Sequence, residues 1–208
     1  MKIYNYGNPD APFVLIQPAN DHDISLLENE VNEIKKLTGK DFYFTAYKQE
    51  NWNKDLSPWS APAVFGNEGF GEGANDTLND ILKLCVDMNK TYFLGGYSLA
   101  GLFALWASFQ TDVFTGVAAA SPSVWFPGFI EYMKNHKTNA KSVYLSLGDR
   151  EEKTKNAVMA TVGKCIYEAN EILINQGADV IFEWNSGNHF KDSDIRTAKA
   201  FANLLNRS

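Results

Sequence analysis

The chain has 208 residues, 45% hydrophobic and 21% charged, with a net charge of −6. That apolar share excludes a disordered chain, and an acidic surface repels the phosphates of a nucleic-acid partner. No apolar run approaches the roughly 18 residues of a membrane span, residues 1–7 lack a secretory signal's apolar stretch, and no basic amphipathic segment offers membrane docking.

A cytoplasmic protein forming one domain over residues 1–208 is therefore expected. In chain order, residues 13–16 open a series of short runs apolar on both faces. The others lie at 42–47, 92–94, 117–120, 143–147 and 180–182, as in strands of a parallel sheet covered on both sides. Between them run helical stripes. Ile24, Leu27, Val31, Ile34 and Leu37 form the first, preceded by His22 in a loop and by Asp23 as its expected cap, and stopped by Gly39.

Residues 49–73 break the rhythm with Trp52, Trp59, Phe65 and Phe70 among prolines and glycines. A loop of that length is uncommon unless functional, and it leaves the strand end where open α/β sheets bind ligands. Leu78, Ile81, Leu82 and Cys85 form the next stripe, entered through Asn75-Asp76-Thr77. An apolar helix is expected over 99–109, another from Val158 to Leu173 stopped by Gly177, and a last one through Ile195, Ala198, Phe201 and Leu205 with Ser193 as cap. Cys85 and Cys165, 80 positions apart in helical patterns, read as buried thiols, and no C-x-x-C offers zinc ligands. The alternation predicts a doubly wound α/β sheet.

The chemistry concentrates at Gly95-Gly96-Tyr97-Ser98-Leu99-Ala100-Gly101, where an apolar strand turns sharply into an apolar helix. This is the setting of a nucleophile elbow, with small residues two before and two after the serine so that strand and helix can approach. The Leu99 N–H at the helix head is one candidate oxyanion donor. Of three histidines, His136 ends a helix on the polar side and His22 lies in a loop that could overhang the site. His189 follows the last strand in Gly187-Asn188-His189-Phe190, where a base is needed. Asp149, Glu151 and Glu152 leave the preceding strand as candidate orienting acids, completing the order Ser, acid, His. The second oxyanion donor is expected from the loop after the first of these strands, at Ala19 or Asn20, because Pro18 has no N–H.

Gly96-Tyr97-Ser98-Leu99-Ala100-Gly101, Ser121-Pro122-Ser123-Val124-Trp125, Leu147-Gly148-Asp149-Arg150-Glu151 and Gly187-Asn188-His189-Phe190 together resemble the esterase branch of the α/β-hydrolases. That branch includes esterase D, feruloyl esterase and enterochelin-esterase-like proteins. The resemblance covers residues 90–190 best. It implies a minimal α/β-hydrolase fold of six or seven mostly parallel strands flanked by helices, without a separate lid domain. It implies Glu151 as the acid, three positions after the strand-ending glycine, with Asp149 as the alternative, and it places Ser121 and Trp125 at the pocket. Tyr97, beside the serine, and Trp59, from the aromatic loop, are the other expected pocket residues.

The implied activity is hydrolysis of a small-molecule carboxylic ester through an acyl-enzyme, with no metal or organic cofactor. An acyltransferase or thioesterase using the same nucleophile, or a binding module on the same fold, are the rival readings.

Overall fold

A run that is apolar on both faces can satisfy its backbone only by pairing with neighbouring strands, and the six predicted runs all do so. A computed structural model describes residues 2–208. It contains the strands β1 (Ile3–Gly7), β2 (Phe13–Ala19), β3 (Tyr43–Lys48), β4 (Thr91–Tyr97), β5 (Phe114–Ala120), β6 (Ser142–Gly148) and β7 (Asp179–Asn185). They form one sheet in the order β1-β3-β2-β4-β5-β6-β7. Every pairing is parallel except β1 with β3. The strand not anticipated is β1. It alternates Tyr4 and Tyr6 with Ile3 and Asn5 at a half-exposed edge, so it carries a two-residue period instead of an apolar run.

Seven helices connect and cover the sheet: α1 (Asp21–Thr38), α2 (Trp52–Asp55), α3 (Ala74–Leu82), α4 (Leu99–Ala107), α5 (Phe129–Asn135), α6 (Val162–Asn175) and α7 (Ser193–Asn206). On one face, Leu27, Val31 and Ile34 of α1 and Ala198, Phe201 and Leu205 of α7 pack on Leu15, Phe44, Phe93 and Tyr144. On the other, α3 to α6 cover Val14, Ile16, Leu94, Val117 and Leu145. Neighbouring residues of β2 and β4 thus point into opposite cores, as a two-residue period requires. All nine residues of α4 are buried, which accounts for its apolar composition all round.

Several expected helix ends move. Asn20 caps α1: its side chain accepts from the Asp23 N–H at 3.0 Å while the Asp23 carboxylate accepts from the Asn20 N–H at 3.1 Å. This reciprocal box makes Asp23 the third helical residue and draws His22 into the first turn. Asp192, in the left-handed region at φ 54°, precedes α7, so Ser193 is its first residue and not its cap. Helix α3 begins at Ala74 and ends at Leu82, which leaves Cys85 in the following turn. Both cysteines are unpaired and half-buried, and burial pushes the Cys85 thiol up to about 12. Gly39 caps α1 in the left-handed region at φ 62°, its N–H reaching the Lys35 carbonyl at 2.8 Å.

The aromatic stretch 49–73 is a built structure. It holds α2, a bridge between Ala61 and Phe70, and a cluster in which Phe65, Phe70, Trp125 and Phe126 meet edge-to-face or tilted. Among the described residues no helix is long and apolar enough to cross a membrane.

Candidate active site

The C-terminal ends of β4, β6 and β7 deliver the candidate residues to one place. Ser98, between β4 and α4, has φ 58° and ψ −118°, a conformation that costs a non-glycine residue about 1–3 kcal/mol. Three backbone bonds hold it there. Its N–H donates to the Ala120 carbonyl at 3.1 Å, and its carbonyl accepts from the Ser123 and Leu102 N–H groups, each at 3.0 Å. A Cβ on Gly96 would lie 2.5 Å from the Ala100 Cβ, and one on Gly101 would lie 3.0 Å from the Gly96 carbonyl oxygen. The small residues around the serine are therefore required by contact, and the side chain is lifted clear of both elements.

His189 reaches Ser98 from the loop after β7. Its Nε2 lies 2.9 Å from Ser98 Oγ, and its Nδ1 lies 2.7 Å from Glu151 Oε2. An ionised carboxylate only accepts, so Nδ1 carries the hydrogen and Nε2 accepts from the serine. The other oxygen of Glu151, Oε1, accepts from the Gly148 N–H at 2.7 Å, the Ser121 hydroxyl at 2.7 Å and Arg196 Nη1 at 2.9 Å. Asp149 has a different place. It accepts from the Gly187 N–H at 2.8 Å and ties the turn after β6 to the loop of His189 without meeting the imidazole.

Arg196 is the residue that reading the sequence did not find. Although buried, its guanidinium makes five bonds. Nη1 donates to Glu151, Tyr97 and Ser121, and Nη2 donates to the carbonyls of Ser186 and Asn188 at 3.2 and 3.1 Å. It therefore holds both Glu151 and the loop that carries His189. A signal was present: Arg196 lies in the first turn of α7, where the helix dipole disfavours a cation. Burial and the neighbouring Glu151 charge push Tyr97 up to about 12. Its hydroxyl therefore stays protonated and donates to the His189 carbonyl at 2.8 Å.

A cavity of about 320 Å³ opens beside Ser98, with Asn20, His22, Trp52, Tyr97 and Phe190 in its wall. His22 does overhang the site, from the first turn of α1. A second cavity of about 20 Å³, room for one water, lies behind His189 against Ser121, Trp125, Met159 and Val162. Trp59 lines neither. Its indole N–H donates to the Pro127 carbonyl at 2.9 Å and its ring packs on Phe126 and Tyr132, so Trp52 takes the wall position expected of it. His136 is remote from these groups, exposed and stacked on Tyr132.

The candidate oxyanion donors separate as well. Leu99 opens α4, where its N–H has no carbonyl within the helix to meet. Ala19 is fully buried in β2, opposite Lys48. The Asn20 N–H is committed to the Asp23 carboxylate and its side-chain oxygen to the Asp23 N–H, while the residue itself lines the cavity beside Ser98.

No protein-family model and no curated protein matches the sequence. Solved structures do match its fold. An IroE-like serine hydrolase from Shewanella oneidensis superposes with a TM-score of 0.77 over 98% of this chain and 75% of its own, at 15% identity. The siderophore hydrolase EstA from Aspergillus nidulans gives 0.68 over 97% and 86%, at 18% identity. An enterochelin esterase from Shigella flexneri gives 0.69 over 99% of this chain and 54% of its own, at 14% identity. The chain has the α/β-hydrolase fold, and no separate lid domain is present among the described residues.

Proposed function

We propose that this chain is a serine hydrolase of small-molecule carboxylic esters, with residues 1–208 forming one catalytic domain. The observation that carries the reading is the unbroken line from Ser98 Oγ through both nitrogens of His189 to Glu151, at 2.9 and 2.7 Å. His189 takes the Ser98 proton as Oγ attacks the ester carbonyl. The developing oxyanion meets the Leu99 N–H at the head of α4 and the Asn20 side-chain amide. Collapse expels the alcohol, protonated by His189, and leaves an acyl-enzyme on Ser98. Water, activated by the same imidazole, then releases the acid. Glu151 fixes the tautomer and balances the imidazolium. This reaction uses side chains, one backbone N–H and water, with no metal or organic cofactor. The names of the matched structures suggest ester-linked siderophores as substrates to test beside simple esters.

Hydrolysis of p-nitrophenyl butyrate by the purified protein and by Ser98→Ala, both checked for folding by circular dichroism, tests the proposal. Turnover should fall in the variant by about a thousandfold or more. Equal rates in both proteins would return Ser98 to a purely structural turn. A panel containing a thioester, a siderophore trilactone and added alcohol acceptors separates hydrolysis of oxygen esters from the rival activities.

A further inference from the structure

In the Ser-Pro-Ser-Val-Trp run, the hydroxyl of Ser123 faces the serine at the elbow. Ser123 is buried at 2% exposure, and its Oγ lies 3.2 Å from Ser98 Oγ. Among the described residues its hydroxyl has no other partner. The direction of that bond follows from the protons already placed. Glu151 holds the hydrogen on His189 Nδ1, so the single hydrogen of Ser98 points to Nε2, and Ser123 must be the donor to Ser98 Oγ. The backbone makes the same pairing, with the Ser123 N–H on the Ser98 carbonyl.

Resting on the ester-hydrolase reading, we infer that Ser123 is a further catalytic residue. Its O–H donates to the nucleophile oxygen and selectively speeds the release of that oxygen from the acyl-enzyme.

The selectivity follows from how good an acceptor Ser98 Oγ is at each stage. As a free hydroxyl it accepts well, and it accepts about as well in the acylation transition state, so the bond from Ser123 favours neither and leaves the rate little changed. In the acyl-enzyme, Oγ is the alkoxy oxygen of an ester, whose lone pair is delocalised into the carbonyl, and it accepts poorly. During deacylation water adds to the acyl carbon and gives a proton to His189 Nε2. The C–Oγ bond then breaks, the electron pair passes to Oγ, and Oγ takes the proton from Nε2 while the acid departs. Throughout this collapse Oγ is again a strong acceptor, and Ser123, keeping its own proton, meets it. The hydrogen bond is therefore worth more in the transition state than in the acyl-enzyme, which is the condition for catalysis.

Stopped-flow kinetics of p-nitrophenyl acetate with wild type and Ser123→Ala, together with decay of the isolated acyl-enzyme followed by intact mass, tests this. The variant should deacylate about five- to tenfold more slowly, the size of one ordinary hydrogen bond, with the acylation rate constant within about twofold. Its kcat and KM should then fall together, leaving kcat/KM nearly unchanged, and a burst approaching one p-nitrophenol per enzyme should appear. Equal loss in acylation and deacylation, or no loss in either, would overturn the role of Ser123 while leaving the hydrolase reading intact. A wild type that neither turns over nor acylates at Ser98 would overturn both.

Discussion

At Ser98, one strained backbone conformation lifts the hydroxyl into reach of His189, and what holds it is distributed over many contacts. The heaviest share falls on Arg196. Removing its guanidinium leaves the buried Glu151 carboxylate without its cation, a situation that costs about 3–5 kcal/mol. Arg196→Met should therefore lower the melting temperature sharply and nearly abolish ester turnover. A variant that melts like wild type would show that the carboxylate does not depend on it. Glu151→Gln should reduce kcat far more than Asp149→Asn, because only Glu151 bonds the imidazole, whereas Asp149 braces the neighbouring loop. The reverse ranking would move the acid to Asp149. Ser98, His189 and the two acids were legible because a local pattern marks each: a glycine-flanked serine, or a polar loop after a strand. Arg196 was not, since its partners Glu151, Ser121 and Tyr97 lie 45, 75 and 99 positions away and meet it only in the folded chain.

Among the elements, α1 couples the pocket wall to a buried carboxyl. Glu30 faces Gln17 on β2, whose Nε2 donates to Glu30 Oε2 at 3.3 Å, while Gln17 Oε1 and Glu30 Oε1 find no partner among the described residues. Two bare acceptors in a buried site are costly, and one proton on Glu30 provides the missing donor. Burial, reinforced by the charges of Asp23 and Asp194, raises this carboxyl well above the usual carboxylate range. The native state thus keeps the proton after the unfolded chain has lost it. This contribution to stability is intact at acid pH and drains away as pH rises from the ordinary carboxylate range towards the raised native value. Glu30→Gln, which always carries the donor, should gain in melting temperature over wild type as pH is raised from 5 to 9; a constant difference would contradict a protonated Glu30. The elbow makes a second demand at this scale. Gly96→Ala places a methyl 2.5 Å from the Ala100 Cβ and should destabilise by about 1–3 kcal/mol, read as a shifted urea midpoint with an unchanged slope.

Over the whole molecule, the fold was readable because a parallel sheet buried on both faces writes itself as continuous apolar runs, and six of the seven strands carry one. β1 escaped because an edge strand buries only part of its surface and alternates tyrosines with Ile3 and Asn5. The caps of α1 and α7 shifted because Asn20 and Asp23 form a reciprocal box and Asp192 takes a left-handed turn, choices that composition alone leaves open. Trp59 was misplaced for a related reason: tryptophans in a long loop all look available to a ligand until tertiary packing decides which is used. If this assembly makes Ser98 a nucleophile, covalent labelling with a fluorophosphonate, read by intact mass and peptide mapping, will report it. One adduct on Ser98 in wild type, none in Ser98→Ala and strongly slowed labelling in His189→Ala is the predicted result. A folded wild type that stays unlabelled, or that labels at the same rate without His189, would contradict it.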